Sequence, residues 1–262
     1  MKQLRFTYCM TLQFSEPICK HRFTLRCTPL SGERQQIRDR TISVYPNEFI
    51  SQDIDAFGNR CIYGYAKGAH DHFSFSVSGT AYTGLQSYEN APSEAGVSPF
   101  KYQTAITQPG EALRAFFTQA AHTPQETNLA YATRMMHALY AHMRYEPGAT
   151  SIQTTAEQAL KIGAGVCQDY AHILLSLCRM QHIPCRYIVG LLIGEGATHA
   201  WTEIWDSGRW YALDPTNNLI VEDQHIKISS GRDYQDCIIN QGLFTGQARQ
   251  EQQVSVSVLE QQ

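Results

Sequence analysis

The first 85 residues alternate polar and apolar positions in the way that is typical of half-buried β-strands. Pairs of turn-forming residues, such as Ser31-Gly32 and Pro46-Asn47, separate the alternating stretches. The predicted strands are Leu4–Phe14, Arg22–Cys27, Ile37–Tyr45 and His72–Ala81. Several short strands at this spacing predict a small antiparallel β-sandwich at the N-terminus.

Beyond these strands the pattern becomes irregular and then helical. Pro and Gly residues between positions 86 and 110 indicate a linker or an irregular crossing. An apolar stripe from about Pro124 to Met143 predicts a helix. Thr154, followed three residues later by Glu157, has the spacing of a capping box and predicts a short helix that ends near Ile162.

The next part of the chain predicts a helix followed by a sheet. Apolar residues recur on one helical face of Cys167–Met180, and Pro184 ends that pattern. The predicted strands that follow are Arg186–Ile193, Thr198–Trp205 and Trp210–Leu213. We therefore predict an α+β fold with an N-terminal β-sandwich domain at residues 1–100 and a second domain at 101–262, in which a helix packs on an antiparallel sheet.

The composition argues against several classes of protein. The 262 residues carry 21 basic and 24 acidic side chains, for a net charge of −3, and no long run of Lys or Arg is present. We therefore expect no nucleic-acid partner. No apolar stretch reaches the length of a membrane span, and the N-terminus lacks the pattern of a signal peptide. We expect a cytoplasmic location and no association with a membrane.

The cysteine and histidine spacing predicts no metal and no cofactor. None of the 8 cysteines forms a C-x-x-C pair, which argues against zinc ribbons and thioredoxin-type redox motifs. His172 and His182 lie near Cys178 and Cys185, but their spacing fits no standard ligand pattern. The sequence also lacks the acidic loop motif that binds calcium.

Cys167 stands at the predicted start of a helix, directly after a glycine-rich lead-in. The free N–H groups and the positive dipole end of a helix start favour a thiolate over a thiol. A cysteine in this position is a candidate nucleophile. The alternative is a small buried residue on the core face, and the position alone does not decide between the two.

The hairpin after that helix brings a histidine to the same face as an aspartate. If Trp205 pairs with Trp210 across the turn, Asp214 lies opposite Trp201 and becomes a diagonal neighbour of His199. Diagonal neighbours are at most about 7–8 Å apart, which suits a carboxylate–imidazole hydrogen bond. This interpretation is conditional, because a three-residue loop would reverse the faces.

Cys167, His199 and Asp214 would supply the nucleophile, the general base and the orienting carboxylate of a thiol enzyme. The motifs around them resemble those of the bacterial transglutaminase-like family. These motifs are Gly165-Val166-Cys167-Gln168-Asp169-Tyr170-Ala171-His172, Ile183-Pro184-Cys185-Arg186-Tyr187, His199-Ala200-Trp201, Asp214-Pro215-Thr216-Asn217-Asn218, His225-Ile226-Lys227-Ile228, Gly231-Arg232-Asp233-Tyr234 and, near the N-terminus, Asp55-Ala56-Phe57-Gly58-Asn59.

The resemblance implies a papain-like core with Cys167, His199 and Asp214 as the catalytic triad, preceded by a β domain. It further implies acyl transfer through a thioester, with a protein or peptide amide as substrate. The acyl group passes either to water or to an amine, and we expect hydrolysis over cross-linking because water is the default acceptor. The residues alone leave the physiological substrate and the oligomeric state open.

Three further residues are candidates for substrate binding. Trp201 either lines the substrate groove or covers the core. Gln168 stands directly after the nucleophile, where papain-like enzymes carry a Trp. Tyr145 lies upstream of the nucleophile and either supplies a donor to the oxyanion or only packs. The alternative function is a non-catalytic binding module that has kept the shape of the fold.

Overall fold

The computed structural model describes residues 1–91, 93–119 and 125–261. The strands in these ranges, in chain order, are β1 Lys2–Leu25, β2 Gln35–Tyr45, β3 Phe49–Ile54, β4 Arg60–Ala66, β5 His70–Thr83, β6 Tyr88–Asn90, β7 Arg144–Tyr145, β8 Ala164–Gly165, β9 Cys185–Leu192, β10 Gly194–Gly196, β11 His199–Asp206, β12 Arg209–Asp214, β13 Leu219–Ile220, β14 His225–Gly231, β15 Asn240–Thr245 and β16 Gln250–Glu260. The helices are α1 Glu94–Val97, α2 Glu111–Gln119, α3 Asn128–His142, α4 Ala156–Ile162 and α5 Cys167–Met180. The fold is therefore α+β, as the sequence predicts.

The long strand β1 organises an antiparallel sheet that contains eight strands among the described residues. β4, β5, β15 and β16 all pair directly with it. The first four alternate side chains of β1 that face the core are at most 2 % exposed, namely Leu4, Phe6, Tyr8 and Met10. Burial of this apolar row removes it from water and holds the sheet to the rest of the molecule. The predicted antiparallel, strand-rich N-terminal region is confirmed.

β1 joins two segments that the sequence predicts as separate strands, Leu4–Phe14 and Arg22–Cys27. Its pairing with β5 shifts register between Gln13 and Ile18, so the chain bends at an irregularity while remaining extended. The sequence does not predict β3 or β4. β3 is largely exposed and therefore lacks the alternation on which the prediction of strands depends.

The end of the chain completes the N-terminal sheet. β16 pairs along β1 from Leu4 opposite Glu260 to Phe14 opposite Gln250, and β10 pairs with β16. Strands from both sides of residue 100 thus share one sheet. The division into domains at that residue stays a prediction.

The second sheet carries the elements of the predicted hairpin. Its order is β13-β12-β11-β9-β14, and β6 also pairs with β12. α5 packs against β9 and β11, and α3 and α4 pack against α5. Ile173, Leu174 and Leu177 of α5 are fully buried in this core. The predicted packing of a cysteine-bearing helix on an antiparallel sheet is confirmed. No described helix has the length and apolar character that crossing a membrane requires.

The helix predicted from Pro124 to Met143 corresponds to α3. It begins after Thr127, whose hydroxyl oxygen accepts a hydrogen bond from the Ala130 N–H. Pro124 lies outside the described residues. The helix ends at His142, one residue before the predicted end.

The short helix α4 begins one residue later than predicted. Thr155 is its cap and Gln158 completes the capping box, in place of Thr154 and Glu157. The Glu157 carboxylate instead accepts hydrogen bonds from the backbone N–H groups of Gly110, Ala112 and Leu113. Glu157 therefore caps α2 from another helix. The sequence does not predict α2, because a cap that a distant segment supplies leaves no local signal.

Candidate active site

The start of α5 positions Cys167. The Val166 N–H donates to Asp169 Oδ2 at 2.8 Å, and the Thr150 hydroxyl donates to the same oxygen at 2.6 Å. Asp169 thus connects the first turn of α5 to the loop before α4. As the first residue of the helix, Cys167 has an N–H without a carbonyl partner one turn earlier. This donor lies beside its own thiol, which is partly exposed.

The hairpin of β11 and β12 places His199 beside Asp214. Trp205 pairs with Trp210, which confirms the register that the sequence predicts. His199 Nε2 lies 2.7 Å from Asp214 Oδ2, and Asp214 is completely buried. The diagonal relationship expected from the register therefore produces a direct hydrogen bond.

Hydrogen bonding keeps Asp214 ionised. Burial by itself would raise the pKa of this carboxyl, but the hydrogen bonds that it accepts from His199 and His225 hold its pKa far below the usual value. An ionised carboxylate only accepts hydrogen bonds, so His199 must present Nε2–H to it. The other ring nitrogen, Nδ1, is then left for Cys167.

The environment of His199 favours the protonated imidazole. Burial alone would lower the pKa of His199, but hydrogen bonds and charge interactions with Asp214 and Cys167 outweigh that effect and raise the pKa to about 9. At neutral pH the ring is therefore a cation between a carboxylate and a thiol. This electrostatic arrangement is typical of an activated cysteine.

The thiol and the imidazole open onto a cleft of about 210 Å³. Among its described lining residues there is no Asp, Glu, Lys or Arg. β1 contributes Tyr8 and Met10 to the lining, and β16 contributes Gln252 and Val254. Both ends of the chain thus form a wall of the cleft. The sequence alone does not indicate this contribution.

The other predicted site residues occupy different positions. Gln168 lines the cleft beside Cys167. Tyr145 is 59 % exposed and pairs with Gly165, two residues before Cys167. Trp201 is only 2 % exposed and stacks behind His199, with 6.2 Å between the ring centroids. The sequence leaves two positions open for Trp201, in the substrate groove or over the core. In the structure its ring covers the core and does not line the cleft.

Two further residues contact Asp214, and the sequence does not predict a role for either of them. His225 Nε2 lies 3.0 Å from Asp214 Oδ2, and Asn217 Nδ2 donates to the same oxygen at 2.7 Å. In the sequence, both residues stand only in motifs that carry the family resemblance. The segment between Asp214 and His225 has no periodic pattern, so the sequence offers no register from which their contact follows.

His199, Asp214 and His225 are also the described residues best placed to hold a metal ion. Their ligand atoms lie within 4.8 Å of one another. However, Asp214 Oδ2 faces both imidazoles and the side-chain amide of Asn217, which is a hydrogen-bond donor and not a ligand. The donor set therefore suits hydrogen bonding. The absence of a metal stays a prediction.

Comparison with known proteins extends over most of the chain. Residues 4–81 match the family "Bacterial transglutaminase-like N-terminal region", and residues 115–215 match the "Transglutaminase-like superfamily". An uncharacterized protein of Mycobacterium leprae is 27 % identical over 98 % of this chain and 99 % of its own length. An uncharacterized protein of Mycobacterium bovis is 33 % identical over 46 % of this chain and 44 % of its own.

A solved structure shares the fold. It is described as a "putative cysteine protease" from Cytophaga hutchinsonii, with a TM-score of 0.78 and 24 % sequence identity over 100 % of this chain and 92 % of that chain. The two family matches and this shared fold agree with the motifs around Cys167, His199 and Asp214. The chain joins a bacterial transglutaminase-like N-terminal region, at residues 4–81, to a transglutaminase-like core at residues 115–215.

Proposed function

We propose that this protein is a thiol enzyme that acts on amide bonds through a cysteinyl thioester. Cys167 is the nucleophile, His199 the base and Asp214 the residue that orients the base. One observation carries the proposal: His199 is hydrogen-bonded to the buried Asp214 at 2.7 Å and lines the same open cleft as Cys167. An imidazole that is oriented by a carboxylate and faces the same cleft as a thiol can act as the base that activates this thiol.

In the first step the Cys167 thiolate attacks the carbonyl carbon of the amide. A carbon–sulfur bond forms, and the carbonyl oxygen becomes an oxyanion next to the N–H at the start of α5. The carbon–nitrogen bond then breaks. The leaving amine takes a proton from the His199 imidazolium, and the acyl group remains on sulfur as a thioester.

In the second step the acyl group leaves Cys167. The neutral His199 takes a proton from water, the resulting hydroxide attacks the thioester carbon, and the carbon–sulfur bond breaks to release a carboxylic acid. An amine in place of water would give a new amide. We favour water because the cleft has no carboxylate among its described lining residues to attract a protonated amine.

The cleft also supports a class of acyl donor. Uncharged side chains such as Tyr8, Met10 and Val254 surround the thiol, so burying a charged donor group there would cost desolvation energy that no described Asp, Glu, Lys or Arg of the lining offsets. A volume of about 210 Å³ is smaller than a typical drug-sized pocket. We therefore propose a protein or peptide donor that inserts one uncharged side chain, such as a glutamine amide or the residue before a cleaved peptide bond.

A library of peptides and glutamine amides tests the proposal. We expect the Cys167→Ala variant to lose roughly 1,000-fold or more of the wild-type rate. The Cys19→Ala variant is the matched control, because Cys19 is also partly exposed but belongs to β1 and does not line the cleft. Equal rates for the wild type and the Cys167→Ala variant would refute a thiol mechanism and favour the binding-module alternative.

The acceptor is determined in the same assay by adding a labelled primary amine. Hydrolysis predicts release of acid and of ammonia or peptide, with little label in the donor. Substantial incorporation of the label would overturn the preference for water and leave the thiol mechanism in place. Incorporation that persists in the Cys167→Ala variant would contradict both.

A further inference from the structure

Asp214 accepts five hydrogen bonds from described residues, three on Oδ2 and two on Oδ1. Oδ1 accepts from the backbone N–H groups of Thr216 and Asn217 at 3.0 and 3.2 Å. Oδ2 accepts from His199 Nε2 and Asn217 Nδ2, each at 2.7 Å, and from His225 Nε2 at 3.0 Å. Rotation of the carboxylate would therefore break several of these bonds together.

His225 reaches the carboxylate from a separate strand. Thr216 and Asn217 follow Asp214 in the same turn, whereas His225 is the first residue of β14. In the sheet, β11 and β9 lie between β12 and β14. Apart from His199, the described donors to Asp214 are therefore two residues of the adjoining turn and His225. His225 connects the carboxylate to β14, at the opposite end of the strand order.

The chemistry of this contact fixes the state of the His225 ring. Its side chain is 1 % exposed, and burial lowers its pKa although Asp214 acts in the opposite direction. A neutral ring facing an ionised carboxylate must carry its hydrogen on Nε2. His225 Nδ1 is buried and has no hydrogen-bond partner among the described residues.

The charged groups around His225 do not alter this assignment. His199 and Asp214 face it from β11 and β12, and the charged residues that line the small space beside it are Arg34, Glu89, Glu203, Glu222 and Lys227. Lys227 pairs with Glu89 and Glu203. Arg34 and His199 both act to lower the pKa of His225 and so favour its neutral form.

We propose that His225 is a positioning residue of the triad, whose Nε2–H holds the Asp214 carboxylate in the orientation that directs the His199 ring toward Cys167. The proposal rests on the thiol chemistry proposed above. His225 does not line the cleft, so it acts on the reaction through Asp214 and not on the bound substrate. Its loss should therefore lower kcat and leave KM nearly unchanged.

Two substitutions separate hydrogen bonding from packing. His225→Leu removes the donor, and we expect kcat to fall by about 10-fold to 100-fold, as is typical when an outer hydrogen-bond partner of a site is lost. His225→Gln retains an N–H donor, and its kcat should stay within about 3-fold of the wild type. Equal losses in the two variants, or a change confined to KM, would overturn the proposal.

A matched control measures the cost of deleting a buried imidazole elsewhere. His21 is 1 % exposed and its ring faces His70 in the N-terminal sheet. His21→Leu should lower the thermal midpoint while kcat at a temperature well below that midpoint stays unchanged. A fall in kcat equal to that of His225→Leu would show that the effect is general destabilisation and would contradict a positioning role.

Nuclear magnetic resonance of protein labelled with ¹⁵N-histidine tests the contact without any substrate. The His225 signals, assigned by their absence from the His225→Gln variant, should show a protonated Nε2 and an unprotonated Nδ1 at neutral pH. The opposite tautomer, or a doubly protonated ring, would overturn the proposal. This readout remains decisive even if no amide is hydrolysed, so failure of the contact and failure of the proposed function are distinguishable.

Discussion

The indole ring of Trp201 lies against the backbone of Gly190, where a Cβ atom would stand 2.4 Å from the ring. The same Cβ would stand 2.2 Å from the carbonyl oxygen of Ile226. Gly190 pairs with His199 of β11 on one side and with Lys227 of β14 on the other. Because Gly190 has no side chain, the Trp201 ring and strand β14, which begins with His225, can both lie close to its backbone.

We predict that Gly190→Ala destabilises the protein and slows the reaction. Relieving the overlap requires a shift of Trp201 or of the backbone of β14, which typically costs about 1–3 kcal/mol or more. Either shift disturbs a histidine that contacts Asp214, so kcat should fall as well. Urea unfolding measures the first effect and steady-state kinetics the second.

Gly32→Ala is the control for this prediction. A Cβ at residue 32 meets no atom within 4 Å, and its backbone φ is not in the left-handed region. Its stability should change by less than about 1 kcal/mol. If the two alanine variants were equally stable, the close packing at Gly190 would not be required.

The positions of Cys167, His199 and Asp214 within their own elements can be predicted from the sequence, because local rules determine them. The alternation of β11 and β12 and their short turn specify a register, and the register makes His199 and Asp214 diagonal neighbours. The glycine lead-in and the apolar stripe of α5 place Cys167 at a helix start. These relationships involve residues within one element or one hairpin.

The remainder depends on contacts between distant segments. His225 approaches Asp214 from β14, Glu157 caps α2 from α4, and Tyr8 lines the cleft from the opposite end of the chain. A single sequence contains no periodicity that relates such positions. Trp201 illustrates a further difficulty, since its strand face is predictable but the depth of its burial depends on Gly190.

The raised pKa of His199 predicts how stability varies with pH. This pKa rises from 6.5 to about 9 in the folded protein. The contribution to stability is therefore complete below about pH 6.5 and is lost as the pH rises through about 9, with a size on the order of 3 kcal/mol. We expect the free energy of unfolding in urea to fall between about pH 6 and about pH 9.5.

The His199→Gln variant provides the control, because it has no group that titrates at this position. Its free energy of unfolding should vary less over the same interval. The lowered pKa of Asp214 affects stability at acidic pH. The contribution of this carboxylate to the free energy of unfolding is present above about pH 4 and is lost as the pH falls. Parallel alkaline curves for the wild type and His199→Gln would contradict the assignment to His199.

Tyr145 tests whether a second donor stabilises the oxyanion. Tyr145 pairs with Gly165, two residues before the thiol, and burial and then Cys167 raise the pKa of its hydroxyl. If the hydroxyl donates to the oxyanion, Tyr145→Phe should lower kcat by about 10-fold to 100-fold with little change in KM. Tyr102→Phe, at an exposed tyrosine that does not line the cleft, should have no effect. An unchanged kcat for Tyr145→Phe would assign that ring to packing alone.

Gln252 and Gln253 offer a matched pair for testing the cleft as the binding site of the acyl donor. Both are exposed and adjacent on β16. Of the two, Gln252 lines the cleft and Gln253 does not, because successive side chains of a strand point to opposite faces. Gln252→Glu should shift the ratio of kcat/KM values toward a donor peptide with Lys beside the reacting residue, relative to one with Glu, by about 2-fold to 5-fold.

The shift should diminish as salt is added, since exposed charges are screened. Gln253→Glu adds the same charge on the other face of the strand and should leave the ratio near its wild-type value. A comparable shift in both variants would indicate a general effect of net charge on peptide binding. No shift in either would mean that the donor does not pass β16, and the C-terminal strand would then serve the sheet alone.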